Sequence, residues 1–301
     1  MAEVIPPSGD EAEESSAKAL PQGMDFASYS QTVQSQWNQL LSSGPEEVEV
    51  QEFLELHPAM VPGGSGDIGP GGHHGAELGA LFRQPLLQGE GSVFRPDFMW
   101  VTRSTGQITP ILIEIEKPSK QFFNLNGVQT AAYTQALSQL NDWRAWFERG
   151  NNKEVFRKMY LHTGQYEHRI LRPQFLLIYG RSDEFVSGGK HKNADALRYK
   201  RDLSLRHDEY VMTFDSLRPK FDHSSSVTVT VKSDGLCAYA FSPLYEIDPE
   251  TGFDAMILGD PEEALGRTVM MAPERKAYID REWRCRGLKE MQAQLRFPGP
   301  N

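Results

Sequence analysis

ITPILIEIEKPS (residues 108–119) and the earlier VFRPDFMWV (residues 93–101) decide the fold of this chain. Both stretches are rich in the apolar and β-branched residues that favour strands, and TRSTGQ between them has the composition of a turn. They therefore predict two strands joined into a hairpin. Pro96 of the first stretch has no N–H to donate, which indicates a strand start or a sheet edge.

The second strand of this hairpin carries two carboxylates on one face. Side chains alternate between the faces of a strand, so Glu114 and Glu116 share a face. The other face, called the isoleucine face below, holds Ile111, Ile113 and Ile115. Lys117 falls on the isoleucine face unless the strand ends first. If the two strands pair through the turn, Asp97 of the first strand reaches the face of Glu114.

Three carboxylates at one place on a sheet predict a metal site. Buried like charges are unfavourable unless something compensates them, and hard cations such as Mg²⁺ prefer carboxylate oxygens. The predicted ligands are Asp97, Glu114 and Glu116. In nucleases of the PD-(D/E)XK type, an Asp and a Glu hold Mg²⁺, which polarises the scissile phosphate and lowers the pKa of the attacking water. We expect Mn²⁺ to substitute for Mg²⁺.

The residue two places after the Glu departs from that nuclease pattern. It is usually a lysine that positions or activates the water, whereas here Glu116 occupies the position and Lys117 follows. Three interpretations are open. Glu116 acts as a third ligand or general base, or Lys117 takes over the lysine's role through a bulge, or activity is lost. Strand alternation favours Glu116, because it and not Lys117 lies beside Glu114.

The residues after the hairpin predict an α/β core. A helix runs from about Leu125 to Arg149, followed by the strand RPQFLLIYG (residues 172–180). A basic helix around Asn193–His207 and a short strand YVMTF (residues 210–214) come next. The resulting order, β-β-α-β-α-β, is an α/β pattern.

The first of these helices carries two candidate catalytic residues, Gln129 and Tyr133. Gln129 and Tyr133 are spaced one turn apart on one helix face, and Gln135 and Gln139 make a second polar pair. In RecB-like branches of the nuclease superfamily, a Gln and a Tyr with the QxxxY spacing approach the metal site or the DNA backbone. The alternative for each glutamine is an ordinary helix surface.

Charge is distributed unevenly along the chain. The formal net charge of -10 argues by itself against a nucleic-acid partner, because phosphate contacts need Lys and Arg. The stretch from Arg149 to Arg206, however, holds thirteen Lys or Arg residues against six acids. We predict that DNA binding runs through this stretch, the alternative being a solvated face. Its candidate phosphate contacts are Lys190, Lys192, Arg198, Lys200 and Arg201.

Composition divides the chain into four segments. Residues 1–24 are expected to be a disordered acidic tail, residues 25–90 a helical segment with a Gly-rich loop, residues 91–220 the α/β core, and residues 221–301 a β-rich extension ending in a helix. No apolar run is long enough to span a bilayer. The two cysteines form no disulfide framework. We therefore expect a cytoplasmic protein with no membrane partner.

Six segments follow one another in a distinctive order over about residues 46–220: QFLELHPAMV, FRPDFMW, LIEIEKPSKQFF, VQTAAYTQALSQLNDWRAWF, FLLIYGRSDEF and VMTFDSLRPKF. This order and spacing resemble the Shedu proteins of bacterial antiphage defence. The resemblance implies a PD-(D/E)XK restriction-endonuclease-like core, with a mixed central sheet flanked by helices, N-terminal helices and a small mixed C-terminal extension. It also implies a Mg²⁺-dependent DNA nuclease that assembles as a homo-oligomer, a dimer or tetramer, and responds to a phage-derived trigger.

The resemblance leaves two questions open. Arg181, at a strand end, either contacts a phosphate with its planar guanidinium or holds the core through an ion pair. The protein is an active endonuclease, or a weakened or inactive nuclease-fold protein that binds nucleic acid or regulates within an oligomer, or a structural subunit that serves a separate catalytic partner. Retention of Asp97 and Glu114 favours metal binding. Because Glu116 occupies the lysine position, the sequence does not decide whether the protein cleaves DNA. The fold alone does not decide between these functions.

Overall fold

Eight strands form one mixed sheet in the computed structural model, which describes Pro21 and residues 23–70, 74–161, 168–233, 235–247 and 257–296. The strands are β1 (Ala76–Arg83), β2 (Phe98–Arg103), β3 (Gln107–Ile115), β4 (Ile170–Leu171), β5 (Gln174–Ile178), β6 (Glu209–Met212), β7 (Val227–Lys232) and β8 (Gly235–Phe241). Their order across the sheet is β6-β5-β3-β2-β1-β7-β8, and the short β4 pairs with β3.

Seven helices occur within the same described residues: α1 (Phe26–Ser42), α2 (Glu47–Leu56), α3 (Ala131–Glu148), α4 (Asn152–Tyr160), α5 (Ala194–Leu203), α6 (Glu262–Arg267) and α7 (Pro273–Arg296). Thr130 caps α3, because its hydroxyl accepts a hydrogen bond from the Tyr133 N–H at 3.1 Å. In the described part of the chain, no helix combines the length and the apolar character needed to cross a membrane.

The strand directions confirm the predicted hairpin and the mixed α/β sheet. β2 and β3 pair antiparallel, and β3, β5 and β6 pair parallel. Parallel neighbours need a long crossover, and the connections that contain α3 and α5 supply it. The predicted order β-β-α-β-α-β is present from β2 to β6, with α4 and β4 inserted after α3.

The two faces of the sheet are covered by different parts of the chain, as the alternation along β3 predicts. The isoleucine face joins an apolar cluster with residues of α1 and α2, among them Tyr29, Val33, Trp37, Val50 and Leu54. Trp37 ties α1 down further, since its Nε1 donates to the Phe214 carbonyl at 3.1 Å. The opposite face, which we call the carboxylate face, packs against α3 through a second cluster that includes Leu112, Tyr133, Ala136 and Leu140.

Two parts of the sheet lie outside the predicted core. β1 falls within residues 25–90, where helices and a Gly-rich loop were expected, and pairs antiparallel with β2 and parallel with β7. β7 and β8 belong to the C-terminal extension and continue the same sheet. The extension is therefore part of the central sheet. Of the expected disordered tail at residues 1–24, only 21, 23 and 24 are among the described residues.

The loop between β3 and α3 packs tightly on Gly180, just after β5. Gly180 has a φ of +58°, and a Cβ there would lie 2.8 Å from the Lys120 carbonyl oxygen and 2.9 Å from Cε2 of Phe122. We expect Gly180→Ala to lower the free energy of unfolding by about 2 kcal/mol or more, because the left-handed backbone and the close carbonyl both oppose a side chain.

Urea denaturation of the full chain measures this loss. Gly106→Ala, in the β2–β3 turn, is the matched control, because an added Cβ there meets nothing within 4 Å. It should change the free energy of unfolding by less than about 0.5 kcal/mol. Equal losses in the two variants would show that the loop does not depend on its contact with Gly180.

Candidate active site

The β2–β3 register brings Asp97 and Glu114 together. Phe98 pairs with Ile113, so Asp97, one residue before β2, stands opposite Glu114. The Ile115 N–H donates to Asp97 Oδ2 at 2.8 Å and fixes this carboxylate against the end of β3. The expectation that Asp97 and Glu114 share one sheet face is met.

Glu114 is buried beneath α3. The residue is 9% exposed, and Gln139 Nε2 of α3 donates to Glu114 Oε1 at 2.8 Å. An amide can donate to a carboxylate but brings no charge. Gln139 therefore orients the carboxylate of Glu114 without neutralising it.

Two further carboxylates lie at the carboxyl end of β3. Glu116 continues the pairing with β5 one residue past the strand end, since its N–H donates to the Ile178 carbonyl at 3.1 Å. Its carboxylate binds the ammonium of Lys120. Glu47, in the first turn of α2, is close enough for the charge of Glu116 to raise its pKa. The acidic cluster is defined here as Glu47, Asp97, Glu114 and Glu116.

Burial and mutual repulsion raise pKa values within the acidic cluster. Burial is the larger cause for both members of the central pair, and nearby carboxylates add to it, raising the pKa of Asp97 to about 7 and that of Glu114 to about 9. Burial, followed by Glu116, raises the pKa of Glu47. Because each ionised carboxylate disfavours ionisation of the next, a cation bound here would stabilise the ionised cluster.

The donor set suits a hard divalent cation, but the side chains do not form a closed metal site. Carboxylate oxygens are the ligands that Mg²⁺ prefers. Among the residues that the structure describes, no three acidic, histidine or cysteine side chains stand close enough to hold one ion. Asp97 and Glu114 lie opposite each other, whereas Glu116 turns its carboxylate to Lys120, and the convergence of all three on one metal stays a prediction.

Lys117 binds a carboxylate that is not part of the acidic cluster. β3 ends at Ile115, and Lys117 Nζ binds the carboxylate of Glu46, the residue before α2. The β2–β3 register runs without a shift from Phe98 to Arg103, and the β3–β5 register runs without a shift from Ile111 to Ile115, so no bulge interrupts β3 in these pairings. The structure thus places Lys117 on the side of α2, where simple alternation predicts it.

Gln129 and Tyr133 do not reach the central carboxylates. Gln129 precedes α3, and its Nε2 donates to Ser204 Oγ at 3.4 Å. Tyr133 is fully buried in an aromatic cluster, with its ring centroid 5.2 Å from that of Tyr179. The predicted helix start was too early, so the QxxxY pattern does not lie on one helix face. Gln139 is the glutamine that contacts the site.

Arg181 is committed to the fold. Its Nε donates to Asp215 Oδ1 at 2.8 Å, and its Nη1 donates to the Leu41 carbonyl at 3.1 Å. This guanidinium joins the end of α1 to the segment after β6. Of the two roles left open for Arg181, the structure shows the ion pair.

The three basic side chains predicted on α5 also bind groups of their own chain. Arg198 Nη2 donates to the Phe185 carbonyl at 2.9 Å, and Lys200 Nζ donates to the Gly127 carbonyl at 2.7 Å. Arg201 pairs with the neighbouring Asp202, and its guanidinium lies 4.9 Å from the ring centroid of Phe185. These contacts fasten α5 to the preceding loops and leave less of each cation for a phosphate.

Lys190 and Lys192 are the two predicted phosphate contacts that lie outside α5 and are exposed to solvent. Both are exposed in the loop before α5. Lys190 also lines a cavity of about 300 Å³ that Lys120 and Arg181 border from the other side. Through this cavity the basic stretch meets Lys120, which binds Glu116 of the acidic cluster.

Three residues of the site, Glu47, Lys120 and Gln139, were not assigned to it from the sequence. Acidic residues are common in the first turn of a helix, where they interact favourably with the helix dipole. The position of Glu47 in the sequence therefore gave no indication of a role in the site. Gln139 belonged to a polar pair on a Gln-rich helix. Lys120 follows Lys117-Pro118-Ser119, and the turn propensity of Pro-Ser is the one local sign that its side chain reverses direction.

Comparison with known proteins supplies the family. A family model described as Shedu protein SduA, C-terminal, matches residues 44–218. No curated protein matches the chain. The matched residues run from before α2 to beyond β6 and contain the whole acidic cluster. Because they make up more than half of its 301 residues, the chain belongs to the Shedu family.

Proposed function

We propose that this Shedu protein is a metal-dependent DNA endonuclease that hydrolyses phosphodiester bonds in defence against phage. One observation carries the proposal: Asp97 and Glu114 face each other across a hairpin, largely buried, with raised pKa values. Perturbed carboxylate pairs of this kind cluster at functional sites. Membership in the Shedu family supports the antiphage role.

The surroundings of the pair support a PD-(D/E)XK nuclease core. The hairpin lies inside a mixed sheet, α3 covers the carboxylate face, and β5 returns parallel to β3. In this arrangement both carboxylates come from adjacent strands of a rigid sheet, with α3 above them. Rigid elements hold catalytic groups more accurately than loops do.

Asp97 and Glu114 would hold Mg²⁺, or Mn²⁺ in its place. When bound, the cation polarises the phosphate and lowers the pKa of a neighbouring water. The protein's own part is orientation: the Ile115 N–H holds Asp97, and the Gln139 amide holds Glu114. Contacts of this kind fix the direction in which a ligand oxygen points. Glu116 either completes the ligand set by changing rotamer or holds Lys120 in place.

Cleavage of supercoiled plasmid by the purified full chain tests the proposal. We expect nicking with Mg²⁺ or Mn²⁺ and none with EDTA, in the dimer or tetramer that we propose as the native state. Because we also propose a phage-derived trigger, the assay is run with and without lysate from phage-infected cells. Absence of metal-dependent cleavage under every one of these conditions, by a folded oligomer, would end the nuclease proposal.

The second candidate is a nuclease-fold protein that binds nucleic acid without cutting it. It is favoured by the absence, among described residues, of three ligands already in place, and by the pairing of Lys117 with Glu46. The same preparations decide between the two candidates. Gel-shift binding of DNA in Ca²⁺ without cleavage in Mg²⁺ or Mn²⁺ would favour this one.

We expect DNA retention to depend on Lys190 and Lys192. The double variant Lys190→Glu, Lys192→Glu should weaken binding roughly 10- to 100-fold and reduce the magnitude of the slope of log K against log[salt] by about 1–2. DNA binding releases fewer counterions when fewer phosphates are contacted. Fluorescence anisotropy with a labelled duplex at several salt concentrations measures both quantities.

The control changes the net charge equally outside the basic stretch. Lys220→Glu with Lys232→Glu alters two exposed side chains after β6 and at the end of β7. It should leave the salt slope unchanged. If both double variants weaken binding alike, net charge alone governs retention, and the path of the DNA lies elsewhere.

A further inference from the structure

A turn at the end of β3 sends two nearby lysines in different directions. The Lys120 N–H donates to the Lys117 carbonyl at 3.0 Å, and Pro118 occupies the second position of the turn, which proline favours. Lys117 leaves on the side of α2 and binds Glu46. Lys120 returns on the side of Glu116 and binds its carboxylate. The turn therefore places one ammonium group at the acidic cluster, and it is that of Lys120.

The backbone that carries Lys120 is held firmly in place. Gly180 packs against the Lys120 carbonyl, which leaves no room there for a Cβ. Just beyond, the buried Glu184 carboxylate accepts hydrogen bonds from the N–H groups of Phe122 and Phe123, at 2.9 and 2.7 Å. A group fixed in this way needs little reordering when a ligand arrives.

On its other side, Lys120 borders the cavity of about 300 Å³ described above. Of the cations around this cavity, Arg181 is spent on Asp215, and Lys190 is exposed at the rim. The Lys120 side chain is 35% exposed, so part of it is accessible to a ligand while its ammonium contacts Glu116. Lys120 thus binds Glu116 of the acidic cluster and also lines the cavity, together with Asp183 and Glu184.

We infer that Lys120 is the phosphate-contacting ammonium of this site, and that Glu116 positions Lys120 rather than serving as a third metal ligand. The inference rests on the proposed nuclease function and makes it more specific. The ligand is a phosphodiester of DNA, whose non-bridging oxygen accepts from Nζ, as lysine binds phosphate through a point charge. The turn after β3 thus supplies the lysine that is missing at position 116, where this chain has Glu116.

Three variants of the full chain test this: Lys120→Gln, Lys120→Arg and Lys117→Gln. Binding of a short duplex is measured in Ca²⁺, which needs no turnover, and cleavage is measured in Mg²⁺. We expect Lys120→Gln to weaken binding about tenfold and to lower kcat/KM about 100-fold. The bound phosphate loses a charged hydrogen-bond donor, and the negative charge that develops on it in the transition state loses the same donor. Lys120→Arg should recover part of each loss. Lys117→Gln should stay within about threefold of the unchanged protein, because Lys117 binds Glu46 on the outside of the cluster.

Two further measurements distinguish a positioning role of Glu116 from a role as a metal ligand. Mn²⁺ affinity, followed by electron paramagnetic resonance, should be unchanged or tighter in Lys120→Gln, and Glu116→Gln should lower DNA binding without weakening Mn²⁺. Weaker Mn²⁺ binding in Glu116→Gln would overturn the positioning role and restore Glu116 as a ligand. Unchanged DNA binding in a folded Lys120→Gln would overturn the role of Lys120. Failure of the unchanged protein to cleave would remove the nuclease function, while the binding assay still decides on Lys120.

Discussion

Glu114→Gln should abolish metal-dependent DNA cleavage, with a loss of about 1000-fold or more, because it removes a ligand charge from the centre of the site. Glu114 is the more deeply buried of the central pair and is held by Gln139. The amide that replaces its carboxylate keeps the size of the side chain and an oxygen that can accept from Gln139. Asp97→Asn should have an effect of the same order.

The measurement is single-turnover cleavage of plasmid in saturating Mg²⁺. Glu148→Gln is the matched control, since it makes the same chemical change on an exposed side chain at the end of α3, where Glu148 pairs with Lys153. It should cleave at the normal rate. Full activity in Glu114→Gln would place the metal, if one acts, away from the β2–β3 hairpin.

The same substitution should stabilise the metal-free protein at alkaline pH. Burial and the neighbouring carboxylates raise the pKa of Glu114 from 4.5 to about 9. A carboxyl whose pKa is raised in the folded state holds its proton there while the unfolded chain has lost it. Stability therefore falls as pH rises from about 4.5 and continues to fall until pH reaches about 9. Asp97 behaves alike between 3.8 and about 7.

Thermal unfolding in EDTA at pH 5 and pH 8 measures this effect. We expect Glu114→Gln to raise Tm at pH 8 by at least about 4 °C, corresponding to roughly 2 kcal/mol for a chain of this size, and to raise it much less at pH 5. Glu148→Gln should change Tm little at either pH. An equal shift of Tm at the two pH values would mean that ionisation of Glu114 does not oppose folding. Added Mg²⁺ should stabilise the unchanged protein more than Glu114→Gln, because ligands that bind the folded state raise its stability.

Local rules were sufficient where neighbours in sequence are also neighbours in space. Alternation along β3 and the short turn before it place Asp97 beside Glu114, and the same alternation sends Lys117 toward α2. Pairing over a short loop leaves few registers, and a slip by one residue would bury the wrong face. This is why the central pair of carboxylates was predictable.

The remaining parts of the site depend on contacts that local rules do not reach. Glu47 joins the cluster only because α2 packs against the end of β3, a placement that its amphipathic pattern does not specify. Gln139 and not Gln129 contacts Glu114 because α3 begins only at Ala131. Periodicity alone defines the first residue of a helix poorly. The basic residues of α5 were recognised as charges, but their partners in the fold, such as Phe185 and Gly127, were not.

The parallel pairing of β1 with β7 joins the sheet to a part of the chain that lies beyond the family match. The family match ends at residue 218, whereas β7 begins at Val227 and covers the outer edge of β1. A fragment cut at the family boundary would expose a row of unpaired N–H and C=O groups along β1, which is the kind of edge that recruits strands from other molecules. A fragment that ends where the family match ends would therefore lack β7 and β8, and we expect its open edge at β1 to promote aggregation.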